Sequence, residues 1–381
     1  MKLAETLERE YKQVEQNTVQ TIQGKETPYF SQIKAAYEKW LSNHEQMEQY
    51  FHSKEGLEPI FAKYLQREKY PYTREDIQHF SLELEKYQDK ILFTKSGLFL
   101  SKLIDEHFRS IKEKKEHSSE KNEADNYTIF TNTLEKKLDY LCSHNPGATV
   151  NIVGSVGSHA CYEMEAGVVT INGSAGDAVC ICMENGKVTV EGDADFYAGT
   201  KMQGGELHIK GSAKDYLGSG SRAGTMYVKG NAGDRAGCDM LGSTIIIGGN
   251  CGNFLGLESK GGIIHVFGNA GDNVGYISSN IFINIKKNAG NRAGNYAKSK
   301  ICIEGNAGAE LGYEMGKGLL VVEGNAGKNV GKRMRAGVIQ VNGCVPQTSW
   351  YIENGEIFHR GKKVKGFTAW EMIKKVFGKK L

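Results

Sequence analysis

The sequence predicts an α+β chain of two parts. An N-terminal α-helical domain is followed by a right-handed parallel β-helix of about eleven turns, closed by a C-terminal capping hairpin and helix. Three observations predict this. The chain holds 47 glycines against 5 prolines, and the glycines are sparse before about residue 145 and abundant after it. From Gly154 onward a unit such as Gly-Asn-Ala-Gly-Asp-Arg-Ala-Gly (Gly230 to Gly237) returns with a 19-residue period. The residues two and four places before each unit are aliphatic or Met, and the residue between them is mostly polar.

The expected divisions are 1–125, a helical domain ending in a charged linker; 126–147, a capping helix; 148–345, the β-helix; and 346–381, a hairpin and a basic amphipathic helix. Residues 28–52 carry Phe30, Ile33, Tyr37 and Leu41 near helical spacing. Thr73 reads as an N-cap, with Asp76 three residues on and Ile77, Phe80 and Leu84 following. Gly97 reads as an interruption before a further helical run over Leu98 to Ile111. Residues 112–126 are charged and nearly free of apolar side chains, as in a linker or a solvated helix extension. Tyr127 to Cys142 resumes helical spacing through Ile129, Phe130, Leu134, Leu138 and Leu141. It stops at Asn145-Pro146-Gly147, which cannot continue a helix.

The repeat starts at Gly154, Gly173, Gly192, Gly211, Gly230, Gly249, Gly268, Lys287, Gly305, Gly324 and Gly343, and every interval is 19 residues except Lys287 to Gly305, which is 18. The aliphatic pairs run from Val150/Ile152 through Ile245/Ile247 to Ile339/Val341. A period of two places one short strand in each unit, with one face buried. A 19-residue unit cannot bury that face alone, so the units must stack and bond to their neighbours. Glycines at the first, fourth and eighth positions are corners, where a positive φ or a missing Cβ lets the chain turn. Ala232 and Ala236, at the third and seventh positions, suit a narrow interior. Met164, Met183, Met202, Met240, Met315 and Met334 share the eleventh position and read as an inward stack. Asn231, Asn250, Asn269, Asn288, Asn306 and Asn325 share the second position and should form a side-chain ladder. Eleven strands at the usual spacing make a rod roughly 50 Å long.

This unit, repeated with its intervening aliphatic strand, resembles the GXGXG β-helix domain. That domain forms the C-terminal part of the glutamate synthase large subunit and one whole subunit of formylmethanofuran dehydrogenase. The resemblance covers residues 148–345 and not the helical region 1–143. It implies a structural role, in which the β-helix packs against catalytic domains or subunits and holds them in register. It carries no catalytic residue onto this chain.

The remaining features bound the function. A net charge of +3 does not call for a nucleic-acid partner. No apolar run is long enough to span a membrane, and acids and glutamines stand where a signal peptide needs an apolar core, so a cytoplasmic protein is expected. The eight cysteines include no CxxC and no metal-ligand spacing. Gly218 to Gly224 is glycine-rich but lacks both the Gly-Lys-Ser/Thr of a phosphate loop and the dinucleotide fingerprint. No cofactor is therefore expected. Cys161 and Cys180 share the eighth position of adjacent turns, with Cys182 nearby. They read as small buried residues or as a redox or soft-metal site that lacks a recognisable third ligand. Asp239 and Glu258 are adjacent acids at the tenth position, and they frame the alternative of a hydrolase with a site between the helical domain and the rod. Tyr227, Ile246, Phe267 and Val321 fall where side chains should point outward. Such an apolar strip calls for a cover, either the N-terminal helices or another chain. In the tail, Trp370 lies on an apolar stripe that can close the rod, and Lys374 and Lys375 lie in a basic run suited to an acidic partner. The expected partners are protein subunits of an enzyme complex or further copies of this chain.

Overall fold

A computed structural model describes residues 29–42, 72–90, 93–116, 126–346 and 355–364. The first helix, α1 (Phe30–Ser42), buries Phe30, Ile33, Tyr37 and Leu41 together with Trp40. Helix α2 (Arg74–Glu83) begins at a capping box: the Thr73 hydroxyl accepts from the Asp76 N–H, and the Asp76 carboxylate accepts from the Thr73 N–H. Helix α3 (Ser96–Glu116) contains Gly97 rather than being interrupted by it. A Cβ at Gly97 would collide with the backbone of Asp139 and Leu141, so this glycine marks where the helix touches the solenoid. Tyr37, Phe80 and Phe99 meet edge to face at the centre of the helical layer.

The rest is one sheet whose strand order follows the sequence. Its strands are β1 (Asn126–Phe130), β2 (Pro146–Val153), β3 (Ala166–Ile171), β4 (Lys187–Val190), β5 (Glu206–Ile209), β6 (Thr225–Val228) and β7 (Thr244–Ile247). They continue as β8 (Gly262–Val266), β9 (Ser279–Ile285), β10 (Lys298–Ile303), β11 (Leu319–Val322), β12 (Val338–Val341), β13 (Glu356–His359) and β14 (Lys362–Val364). Neighbours from β1 to β13 pair in parallel, as successive coils of a solenoid of about 12 turns. The pair β13–β14 is antiparallel and forms the expected hairpin. The basic helix expected after it lies outside the described residues.

The expected capping helix over 126–147 is not a helix. Its first residues are β1, with Tyr127 beside Val150 and Ile129 beside Ile152. Tyr127 and Ile129 are the buried pair of one more turn. Four extra residues separate β1 from β2 relative to the 19-residue unit, and the corner glycines are absent there, so the repeat was hidden. The apolar residues that mimic a helical period instead fill the interior of a longer coil.

Each coil buries its aliphatic pair. A second line of parallel contacts runs through the third position, from Val156 and Ala175 to Ala307 and Ala326. The eleventh-position methionines are buried as expected, with Ser221, Ser259 and Ser278 in the same line. Ser221 and Ser243 satisfy each other inside the coil. The 18-residue coil loses its residue at the start of β10, where the register with β9 shifts between Lys298 and Lys300. From Lys300 onward the two strands are in phase.

Glycines do two different jobs. At the eighth position the backbone is left-handed, as at Gly237 with φ +66°. At the first and fourth positions most glycines have ordinary φ, and what they lack is a Cβ. One at Gly230 would stand 2.7 Å from the Gly211 carbonyl oxygen of the previous turn. The sixth and tenth positions are also left-handed but carry side chains, such as Tyr216 and Arg235, or Asp239 and Glu258.

The described helices do not cover the outward strip. Among the described residues, α2 packs mainly on β1 and α3 on β2, at the N-terminal end of the rod. They close the first coil, whose free edge would otherwise expose unpaired backbone.

Candidate functional site

The outer face of the sheet carries three lines of side chains, one, three and five residues before each unit. In the middle line stand Thr189, His208, Tyr227, Ile246, His265, Asn284 and Cys302, aligned turn by turn. Tyr227 is 38 % exposed and Phe267 is 52 % exposed, while Ile246 is half-buried between them. Phe267 directly follows β8 and belongs to the line nearest the corner. In that line Gly248 separates Lys229 from Phe267, and its missing side chain leaves a shallow groove of about 570 Å³ bounded by Tyr227, Ile246, Phe267 and His208. The structure thus brings Tyr227, Ile246 and Phe267 together in one place.

Charge flanks the groove in an ordered way. Lys187 Nζ lies 3.2 Å from Glu206 along one outer line, and Lys210 Nζ lies 2.6 Å from Glu191 along the other. His208 Nε2 is 3.0 Å from the same Glu206 carboxylate. The hydrogen bond from His208 holds the Glu206 carboxyl below its ordinary range, with Lys187 adding to the effect. Beyond the groove, Lys286 pairs with Glu304 at 2.6 Å and keeps Glu304 ionised in the same manner.

At the opposite corner, Cys161 and Cys180 stack as expected, and Cys142 extends the column by one turn. All three are buried. The Cys142 thiol is pushed well above its ordinary value by its hydrogen bond to Cys161 and by burial. At Cys161 the bond to Cys142 acts the other way and is outweighed by the bond to Cys180 and by burial. Thiols held protonated in this way are poor nucleophiles and poor metal ligands. Cys182 stands apart from the column, half-buried at the tenth position, where burial first and then the Glu163 charge raise its thiol. Among the described residues no group of three or more His, Cys, Asp or Glu is arranged to hold a metal ion.

Asp239 and Glu258 are adjacent and exposed, both in the left-handed region with φ 55° and 54°. Asp239 Oδ2 accepts from the Cys238 thiol at 3.1 Å, and burial together with that bond pushes Cys238 up to about 12. The pair lies on coils far along the rod from α2 and α3, so the structure does not place it in a cleft with the described helices. Gly218 and Gly224 are corners: both have positive φ, and a Cβ at either would strike a neighbouring turn. Trp370, Lys374 and Lys375 lie outside the described residues.

Two further lines organise the surface. The second-position line is continuous: the side chain of each turn accepts the backbone N–H of the next, from Ser155 and Ser174 through Asp193 and Ser212 to the asparagines. It ends where Asn325 accepts from Cys344 N–H at 2.7 Å. The fifth-position line does the same from Asp215 through Asp234, Asn253, Asp272 and Asn291 to Ala309. A glycine that clears the turn below and an Asx side chain that bonds to the turn above recur together down the coil.

Residues 163–276 match the GXGXG motif family model. The matched segment includes Tyr227, Ile246 and Phe267, so the exposed groove lies within it. No curated protein matches the chain. Among the described residues no helix is long and apolar enough to cross a membrane.

The sequence missed Cys142 and the fifth-position line. The first stands 19 residues before Cys161, and that spacing points to it. The second was legible as a recurring Asp or Asn four residues after each unit begins.

Proposed function

We propose that this chain is a non-catalytic scaffold, an accessory β-helix subunit that holds partner chains in an enzyme complex. The observation that carries this is the apolar groove on the outer sheet face. Tyr227, Ile246 and Phe267 offer a rigid, preformed contact surface between charged borders, the layout of a protein contact site. The coil behind it is filled with close-packed aliphatic side chains, which suits a part that fixes distances. The resemblance to the β-helical subunit of formylmethanofuran dehydrogenase and to the C-terminal domain of glutamate synthase supports a role beside an oxidoreductase-type catalytic chain.

Isolation of the protein from its own cell extract tests the proposal. A catalytic chain should co-purify at fixed stoichiometry. The scaffold reading falls if the isolated chain itself shows a hydrolytic activity that Asp239→Asn or Glu258→Gln abolishes.

A further inference from the structure

The outer sheet face is self-complementary, and we infer that it docks against the same face of a second copy of this chain, with the two rods parallel. The inference rests on the reading of this face as a contact surface, and it names the occupant. A two-fold axis running along the rod leaves each strand opposite its own mate and exchanges the two outer lines. Lys187 then faces Glu191 of the second copy, and Glu206 faces Lys210. Three turns past Ile246, Lys300 faces Glu304 in the same way. The two-fold repeats each of these contacts, and every one joins opposite charges.

The centre of the face agrees. Ile263, 38 % exposed, comes opposite Phe267 of the second copy, and Ile246 on the middle line meets its own equivalent. Paired charges thus lie on either side of an apolar centre, as in specific interfaces, while Lys229 comes opposite Thr225 and Lys286 opposite the Phe282 ring. Turning the second rod end for end about Ile246 gives the reverse result: Lys187 would face Lys300, Glu191 would face Glu304, and Lys210 would face Lys286. The charge pattern therefore selects the parallel arrangement. A face about 50 Å long and about 15 Å wide offers roughly 750 Å² per copy, close to the ~800 Å² per partner of a standard interface.

The middle line supplies a direct test, because each of its residues lies on the axis. Cys302 belongs to this line and is half-buried in the isolated chain. Light scattering on the purified protein should give twice 42.0 kDa. A short bismaleimide should link Cys302 to Cys302, and Cys302→Ser should abolish that link. Introducing Thr189→Cys should add a 189–189 link. Ile246→Arg should weaken the dimer at least about tenfold, with the circular dichroism unchanged. A monomer at all concentrations, a 189–302 link or a dimer indifferent to Ile246→Arg would overturn the parallel dimer. The co-purification experiment decides the scaffold reading separately: a monomer that still co-purifies with a catalytic chain overturns the dimer alone.

Discussion

At Gly237 the backbone is left-handed, and an added Cβ would stand 2.6 Å from Ile264 Cδ1, inside the coil. The same position carries Cys in three turns, Cys142, Cys161 and Cys180, each with positive φ. The strand residues in the place equivalent to Ile264 are there Val169, Val188 and Leu207. Opposite Gly199 and Gly256, by contrast, stand the longer Met226 and Ile283. At Cys142 and Cys161 side-chain volume at the corner is exchanged for volume on the strand, while Leu207, isomeric with Ile, keeps its volume beside Cys180. Gly237→Ala should therefore cost about 2–3 kcal/mol, from overpacking and from the left-handed backbone. Adding Ile264→Val should return about 1 kcal/mol or more, which chemical denaturation of the two variants would measure. If the double variant is less stable than Gly237→Ala, the volume exchange is wrong.

At the scale of single elements, the coil tolerates a length change at the start of a strand, ahead of its buried aliphatic pair. The 18-residue coil shortens between Lys298 and Lys300, and Ile301 still lies beside Ile283. Inserting one glycine between Lys298 and Ser299 should change stability by less than about 1 kcal/mol. One residue inserted between Ile245 and Ile246 would move the buried set of β7 to the solvent side. That variant should fail to give a cooperative thermal transition. The strands were legible in the sequence because each position meets the same surroundings in every turn, so a residue such as Ile245 is one of eleven equivalent observations. Tyr127 and Ile129 form a single instance on a coil of different length. Phe130, Leu134, Leu138 and Leu141 follow them at helical spacing, and only pairing with Val150 and Ile152 shows the strand.

For the whole molecule, the helical layer and the rod are one structure with a shared boundary. Gly97 on α3 meets the backbone of Asp139 and Leu141, and the Ser81 hydroxyl on α2 accepts from the Phe130 N–H at 3.1 Å. A chain beginning at residue 148 would bare the edge of β2 and the interior beneath it. It should form concentration-dependent aggregates in light scattering while the full chain does not. Where the helices dock could not be read from the sequence, because nothing in a helix's own periodicity says which coil it will meet. The groove was legible in part: Tyr227, Ile246 and Phe267 break the polar pattern of the outer face. The depression at Gly248 was not, since it depends on which neighbours stand on either side. The second-position ladder gives the rod a direction. Every bond in it runs from an N–H of the later turn to a side chain of the earlier one. During synthesis the earlier turn is made first, so each new coil leaves the ribosome to find its acceptor already in place. The protein can wind onto itself in the order in which it is translated, and the last acceptor waits at the growing end.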